Sequence, residues 1–352
     1  MLASITLPGP HGVSFALVAA LFFGASTPLA KVLLGTVDPV LLAGLLYLGS
    51  GSGLLLWRWL RCWWSKQASR EAGFKRGDLP WLTGTIVTGG VIAPVLLMIG
   101  LTTTPASSAS LLLNLEGVFT TILAWCVFKE HYDRRLVGGM AAIAAGGLVL
   151  SWGGRPELRS SVGALAVVGA CLAWAIDNNV TRKISAGDPV QIAGIKGFVA
   201  GTVNLVIALV AGASLPSART VLTAAVVGFL GYGVSLVLFI LALRYIGTAR
   251  TGAYFSLAPF AGATISIFVL GDRLTTQLLV AAALMGLGAW LHVTERHEHT
   301  HWHEPLEHEH GHSHDTHHPH GAEEEPHSHL HTHPAVHHSH PHYPDIHHRH
   351  GH

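Results

Sequence analysis

Charge is scarce in this sequence: Asp, Glu, Lys and Arg make up 12% of its 352 residues, while half are hydrophobic. Soluble domains carry about a quarter charged residues. Composition therefore excludes an ordinary soluble enzyme and points to a polytopic membrane protein. Cysteine is rarer still. Cys62, Cys126 and Cys171 lie in or beside apolar runs without metal-ligand or disulfide spacing, so they receive no chemistry. No nucleophile–base pair or cofactor loop is present, so the chain is not expected to be an enzyme or to require a cofactor. The Gly-x-Gly runs at Gly49-x-Gly51-x-Gly53 and Gly286-x-Gly288 fall inside apolar spans, where small residues let helices approach closely. The first apolar run has no basic n-region and no small-x-small cleavage site, and it contains Pro28 and Lys31. A removed signal peptide is therefore not expected.

What is abundant is apolar sequence in lengths that match a bilayer. Runs of about twenty residues occupy 13–34, 40–60, 80–101, 107–128, 136–152, 162–184, 190–212, 220–243, 250–270 and 276–294. The expected fold is an all-α membrane protein of ten transmembrane helices, five per half, with short connections marked by Asp38-Pro39, Gly153-Gly154, Gly187-Asp188-Pro189 and Leu215-Pro216. An odd number per half inverts the second half in the membrane. The expected organisation is a leader at 1–12, a first repeat at 13–152, a second at 162–294 and a tail at 295–352. Placing the N-terminus in the cytoplasm puts thirteen Lys and Arg on inner connections against Arg155, Arg159, Arg219 and Arg273 outside, and both termini then lie inside.

Ionisable residues within the spans are few, and each is costly unless partnered or wetted. Glu116 and Asn114 stand near the middle of Ala106 to Glu130, which returns in the second half as Ala249 to Leu274 with Pro259 in place of Glu116. The others are Lys31, the run Asp177, Asn178, Asn179, then Lys196 and Asn204. Two readings stay open. These groups neutralise one another and set helix register, with an Asp177–Lys196 pair geometrically allowed, or they line a central aqueous cavity and meet substrate or a coupling proton. Pro28, Pro94 and Pro259 remove backbone hydrogen bonds from the first, third and ninth runs, as passive curvature or as kinks suited to gating.

The opening ALFFGASTPLAKVLL followed by Asp38-Pro39, the segment SASLLLNLEGVFTTILAWCVFKE with a Gly-rich fifth run after it, and the acidic residues Glu130 and Asp272 ending the fourth and ninth runs resemble the EamA-type transporters of the drug/metabolite transporter superfamily. The resemblance spans 13–294. It implies a multi-pass carrier of the bacterial inner membrane with a central cavity between two inverted five-helix repeats, the fifth and tenth helices to the side, and alternating access. Substrates across that family are diverse metabolites, often exported, and no motif here names one. The run Asp177-Asn178-Asn179 stands where the first half has Thr27-Pro28-Leu29, so an asymmetric cavity is expected.

The tail is a different object. It holds 23 of the chain's 26 histidines, and its ten acidic against two basic residues leave the body at +9. Its few aliphatic residues predict disorder without metal. His297, His299, His301, His303, His308, His310, His312, His314, His317, His318, His320, His327, His329, His331 and His333 are candidate ligands for Zn²⁺, Ni²⁺, Co²⁺ or Cu²⁺. The strings His297-Glu298-His299-Thr300-His301 and His308-Glu309-His310-Gly311-His312 match the zincin pattern but lack the rigid helix it needs, and arise from composition. Expected partners are the lipid bilayer, a small-molecule substrate and transition-metal ions, with a homodimer left open and no nucleic acid. Three functions follow: a metabolite carrier with a metal-binding accessory tail, a carrier of a transition metal or its complex, and a non-transporting metal sensor or store.

Overall fold

A computed structural model describes residues 10–65, 76–128, 134–151, 158–181, 183–184 and 188–293 of the body, and 298–303, 306–312, 327–333 and 336–341 of the tail. The body is helical: α1 (Pro10–Leu33), α2 (Pro39–Ser65), α3 (Leu79–Thr85), α4 (Ala93–Thr103), α5 (Ala106–Leu112), α6 (Leu115–Phe128), α7 (Arg134–Ser151), α8 (Leu158–Thr181), α9 (Pro189–Val210), α10 (Ala218–Gly228), α11 (Ser235–Phe255), α12 (Ala258–Leu270) and α13 (Thr276–Val293). Seven stretches are long and apolar enough to cross a membrane, and three shorter apolar helices, Val137–Ser151, Ala258–Leu270 and Thr276–Leu291, take the remaining places among the ten apolar runs.

The two halves repeat each other in local detail. Asp38 and Asp188 both open a helix: Asp38 Oδ1 accepts from the N–H groups of Val40 (2.9 Å) and Leu41 (3.1 Å), and Asp188 Oδ1 accepts from Val190 (2.9 Å) and Gln191 (3.2 Å). Each satisfies donors that a helix start leaves orphaned, with proline following where no N–H is needed. A π-turn over Ile86–Ile92 joins α3 to α4, and another over Phe229–Val234 joins α10 to α11. The fourth run breaks at Leu113-Asn114 between α5 and α6, and the ninth breaks at Ser256-Leu257 before α12.

One difference between the halves lies in the preceding turn. Thr104 is extended (φ −98°, ψ 136°) because Pro105 follows it, and α4 ends there. The second half has no proline at that place, and helical hydrogen bonding continues through Ser235–Phe255. Yet the rings of Phe239 and Phe255 lie 4.7 Å apart, where a straight helix would separate them by about 24 Å. The chain therefore folds back within α11, where the apolar pattern places a connection.

The core forms where α2 crosses α9. A Cβ at Gly51 would overlap the Phe198 backbone and one at Gly201 would overlap Leu48, so backbones meet almost directly. Leu41, Leu42, Leu46, Leu97, Met98, Leu101, Leu111 and Leu112 fill the surrounding interior. Arg58, late in α2, pairs with the buried Asp188 at the start of α9 and closes one end of that crossing. Helices α7 and α13 pack on each other, with Gly146 against Met285 and Gly288 against the Gly139 carbonyl.

The described residues of the tail are β1 (Glu298–His303), β2 (Leu306–His312), β3 (His327–His333) and β4 (Val336–Pro341), with β1 antiparallel to β4 and β2 antiparallel to β3. The alternation of histidine with other residues has the period of a strand, and the backbone follows that period despite the lack of an aliphatic core.

Candidate functional site

The site is organised by the first π-turn. Within it the Ala93 N–H reaches back to the Thr88 carbonyl, so the Gly89 carbonyl is passed over. Pro94 has no N–H to offer Gly90. Two carbonyls are thus freed inside the protein, and three helices supply donors. The Tyr47 hydroxyl (2.8 Å) and Trp174 Nε1 (3.1 Å) both donate to Gly89 O, and Asn204 Nδ2 donates to Gly90 O at 3.2 Å. Gly89 also leaves room for a side chain from α8. A Cβ there would overlap the Asp177 carboxylate, which sits in that place.

Asp177 is buried. Its Oδ2 accepts from Lys196 Nζ on α9, and its Oδ1 accepts from Thr181 Oγ1 at 3.1 Å. Lys196 keeps 17% of its side chain exposed, and its other two N–H bonds have no acceptor among the described residues. Next along α8, Asn178 Nδ2 donates to Glu116 Oε1 at 2.8 Å and lies 3.3 Å from Thr120 Oγ1, while Asn179 Nδ2 reaches the Thr120 carbonyl at 3.2 Å. Glu116 is partly accessible, and its second carboxylate oxygen has no protein partner among the described residues. It is within electrostatic reach of Asp177 and Lys196.

Of the residues singled out by sequence, the structure therefore brings together Glu116, Asp177, Asn178, Asn179, Lys196 and Asn204. It places two elsewhere. Lys31 Nζ donates to the carbonyls of Leu101, Thr102 (3.4 Å) and Thr104 (3.1 Å), so it caps the C-terminus of α4, where carbonyls lack helical partners and a cation is favoured. Asn114 Nδ2 bonds the Leu111 carbonyl at 3.0 Å and faces Met285 Sδ at 4.0 Å, bridging the α5–α6 break. The prolines differ in role as well. Pro94 and Pro259 stand at the first turns of α4 and α12, whereas Pro28 is accommodated inside an uninterrupted α1. Asp272, following the left-handed Gly271 (φ 69°), accepts from the Ser107 N–H at 2.8 Å and ties the end of α12 to α5. Its counterpart Glu130 lies outside the described residues.

Sequence reasoning assigns no site role to Gly89 and Gly90, which it reads as small residues for helix packing, or to Tyr47, Trp174, Thr120 and Thr181. Tyr and Trp count as apolar in a hydropathy scan, though each has a polar tip. The one available signal was Gly-Gly four and five residues before Pro94, which marks carbonyls without backbone donors. In the tail, His297, His314, His317, His318 and His320 lie outside the described residues, and the other ten candidate ligands stand on strands. Among the described residues no group of three or more His, Cys, Asp or Glu is arranged to hold a metal ion.

Repeated apolar helices with matching caps, matching π-turns and a polar cluster at their centre define a multi-pass, two-repeat membrane protein. The chain belongs to the EamA-like transporter family, which matches residues 10–152 and again residues 161–294. An uncharacterized transporter of Methanothermobacter thermautotrophicus is 30% identical over 207 residues, which are 56% of this chain. The chain spans 60% of the length of that relative. A solved crystal structure shares the fold, with a TM-score of 0.59 at 19% identity over 79% of this chain and 95% of the other.

Proposed function

We propose that the chain is a secondary transporter that moves a small metabolite across a bacterial inner membrane, with both termini cytoplasmic and alternating access between two inverted repeats. The observation that carries this reading is Glu116: a half-buried acid within the spans, held by Asn178 through one oxygen and without a protein partner at the other among the described residues, in a membrane protein of a transporter family. An intramembrane acid without a full set of partners marks a ligand or ion pathway. Lys196, with donors to spare beside Asp177, supplies a second polar contact, and Asn178 and Thr120 fix the geometry of the first. The close α2–α9 crossing is the pivot about which the halves rock.

Proteoliposomes offered a panel of metabolites test it. Glu116→Gln keeps the shape and the Asn178 contact but removes the charge, and flux of the accepted substrate should fall about tenfold or more, the effect of losing one charge-assisted contact. Wild-type flux in a correctly inserted variant would return Glu116 to a structural role.

The tail binds transition metal as a regulatory or buffering element in this reading. A second reading, transport of a metal ion or its complex with the tail handing metal over, is favoured by the tail alone. It lacks support in the described spans, where the polar cluster holds no His or Cys with ligand spacing. Abolished metal flux in a chain truncated after Thr294 would favour it, and intact metabolite flux in that chain would favour the first.

A further inference from the structure

The broken runs of the two halves face each other. Helices α5 and α12 pack together, with Asp272 on the Ser107 N–H at 2.8 Å and Ser110 Oγ 2.7 Å from where a Cβ of Gly262 would stand. Going from Ser107 to Ser110 along α5 is therefore going backward along α12, so the two are antiparallel. About one turn further on, α5 ends at Leu112 and α12 reaches its start at Ala258, which brings the two breaks to one level. Beyond that level the neighbours change. Helix α6 packs on α7 and α8, while Phe255, which ends α11, lies on Phe23 of α1 with 5.5 Å between ring centroids. Glu116 thus stands on one side of the place where the two runs part, and Phe255 on the other.

The two sides differ in chemistry. On the first, Asp177 and Lys196 pair and cancel, which leaves Glu116 as an uncancelled negative charge whose second oxygen has no protein partner among the described residues. The second side is aromatic. Tyr232 lies 6.0 Å from Phe23, and Phe255 lies between Phe23 and Phe239, with Phe23 and Phe255 both partly accessible. Tyr47 joins the sides, its hydroxyl on the Gly89 carbonyl and its ring 5.4 Å from Tyr232. A lone carboxylate and a row of ring faces both attract positive charge, and ring faces also suit an apolar body. We infer that the transported solute is an organic cation, an amine or quaternary ammonium group on an apolar body, whose charge sits at Glu116 and whose body lies against Phe23 and Phe255. This names the solute class of the carrier proposed above and rests on that reading. An anion would meet the uncancelled charge. A zwitterion would have to bring its carboxylate to Lys196, which Asp177 already holds.

The test offers the full-length protein in proteoliposomes labelled benzyltrimethylammonium, phenylalanine and benzoate, which share a ring and differ in charge, alongside the metabolite panel. Benzyltrimethylammonium should be carried in preference to the other two. In variants that insert as the wild type does, its flux below saturation should fall about tenfold or more with Glu116→Gln and recover in part with Glu116→Asp. Phe23→Leu and Phe255→Leu keep apolar bulk but remove the ring faces, and each should lower it about threefold to tenfold. Carriage of benzoate, phenylalanine or another metabolite without benzyltrimethylammonium would overturn the cation and leave the carrier standing. Cation flux that none of these substitutions alters would overturn the assignment to this site. If no solute of the panel moves, the carrier reading itself falls and this inference with it.

Discussion

The two π-turns hold the same place in their halves and are filled in opposite ways. Gly89 is the fourth residue of the first turn, and Tyr232 is the fourth of the second. At Gly89 the missing side chain admits the Asp177 carboxylate and its Lys196 partner. At Tyr232 a ring takes the space, 5.4 Å from Tyr47 and 6.0 Å from Phe23 between ring centroids, and its hydroxyl interacts with Ser26. The next position is glycine in both, Gly90 against the Ala200 Cβ at 2.5 Å and Gly233 against Ser50 Oγ at 3.2 Å, measured from where a Cβ would stand. A shared backbone device thus serves a charged cluster in one half and an aromatic one in the other. The two halves thus differ in which residue stands at the fourth place of the turn, Gly89 in the first and Tyr232 in the second.

The comparison breaks most sharply at Lys196. Lys196→Met leaves Asp177 buried without its counter-charge and should destabilise the protein by about 3–5 kcal/mol. Adding Asp177→Asn removes the orphaned charge and should restore all but about 1 kcal/mol, since well-packed neutral replacements of buried pairs are tolerated. Leu46 stands as far beyond Asp38 as Lys196 does beyond Asp188, and Leu46→Met should cost less than about 1.5 kcal/mol. Denaturant unfolding in mixed micelles measures all three. A Lys196→Met variant as stable as Leu46→Met would show that Asp177 is hydrated and that the halves do not differ in this way.

Much of this contrast is legible in the sequence, and the rest is hidden for identifiable reasons. The spans are readable because bilayer thickness fixes a length and composition. The repeat is readable because Asp-Pro recurs before α2 and α9. The polar cluster is readable in membership, since Glu116, Asp177, Lys196 and Asn204 are conspicuous in apolar runs, but not in arrangement. Lys31 is equally conspicuous and turns out to cap α4, because a lysine stem is long enough to reach a helix end from a neighbouring helix. The π-turns escape a hydropathy scan, since an extra residue in a helix changes its hydrogen bonding and not its composition. The strands of the tail escape an argument from core formation, because their pairing follows alternation and not aliphatic content.

Smaller effects sharpen the same comparison at the Gly89 carbonyl. It accepts two donors, from Tyr47 and Trp174, so losing one leaves it satisfied. Tyr47→Phe should cost about 0.5–1.5 kcal/mol and Trp174→Phe somewhat more, because the smaller ring also leaves a void. Together they strand a buried carbonyl, and the double variant should exceed the sum of the singles by about 1 kcal/mol or more. Strict additivity would mean that water reaches Gly89 and replaces the missing donors.

The second π-turn should respond least. Tyr232→Phe keeps the ring and its packing on Tyr47 and Phe23 and removes only the hydroxyl beside Ser26, a loss of about 0.5–1 kcal/mol. No charged group depends on that hydroxyl, whereas the Tyr47 hydroxyl shares its acceptor with the helix that carries Asp177. Substrate flux in proteoliposomes should therefore be unchanged by Tyr232→Phe and reduced by Tyr47→Phe, although the two substitutions delete the same atom. Equal flux losses would mean that both turns meet the substrate, and the polar cluster of the first half would then be only part of the site.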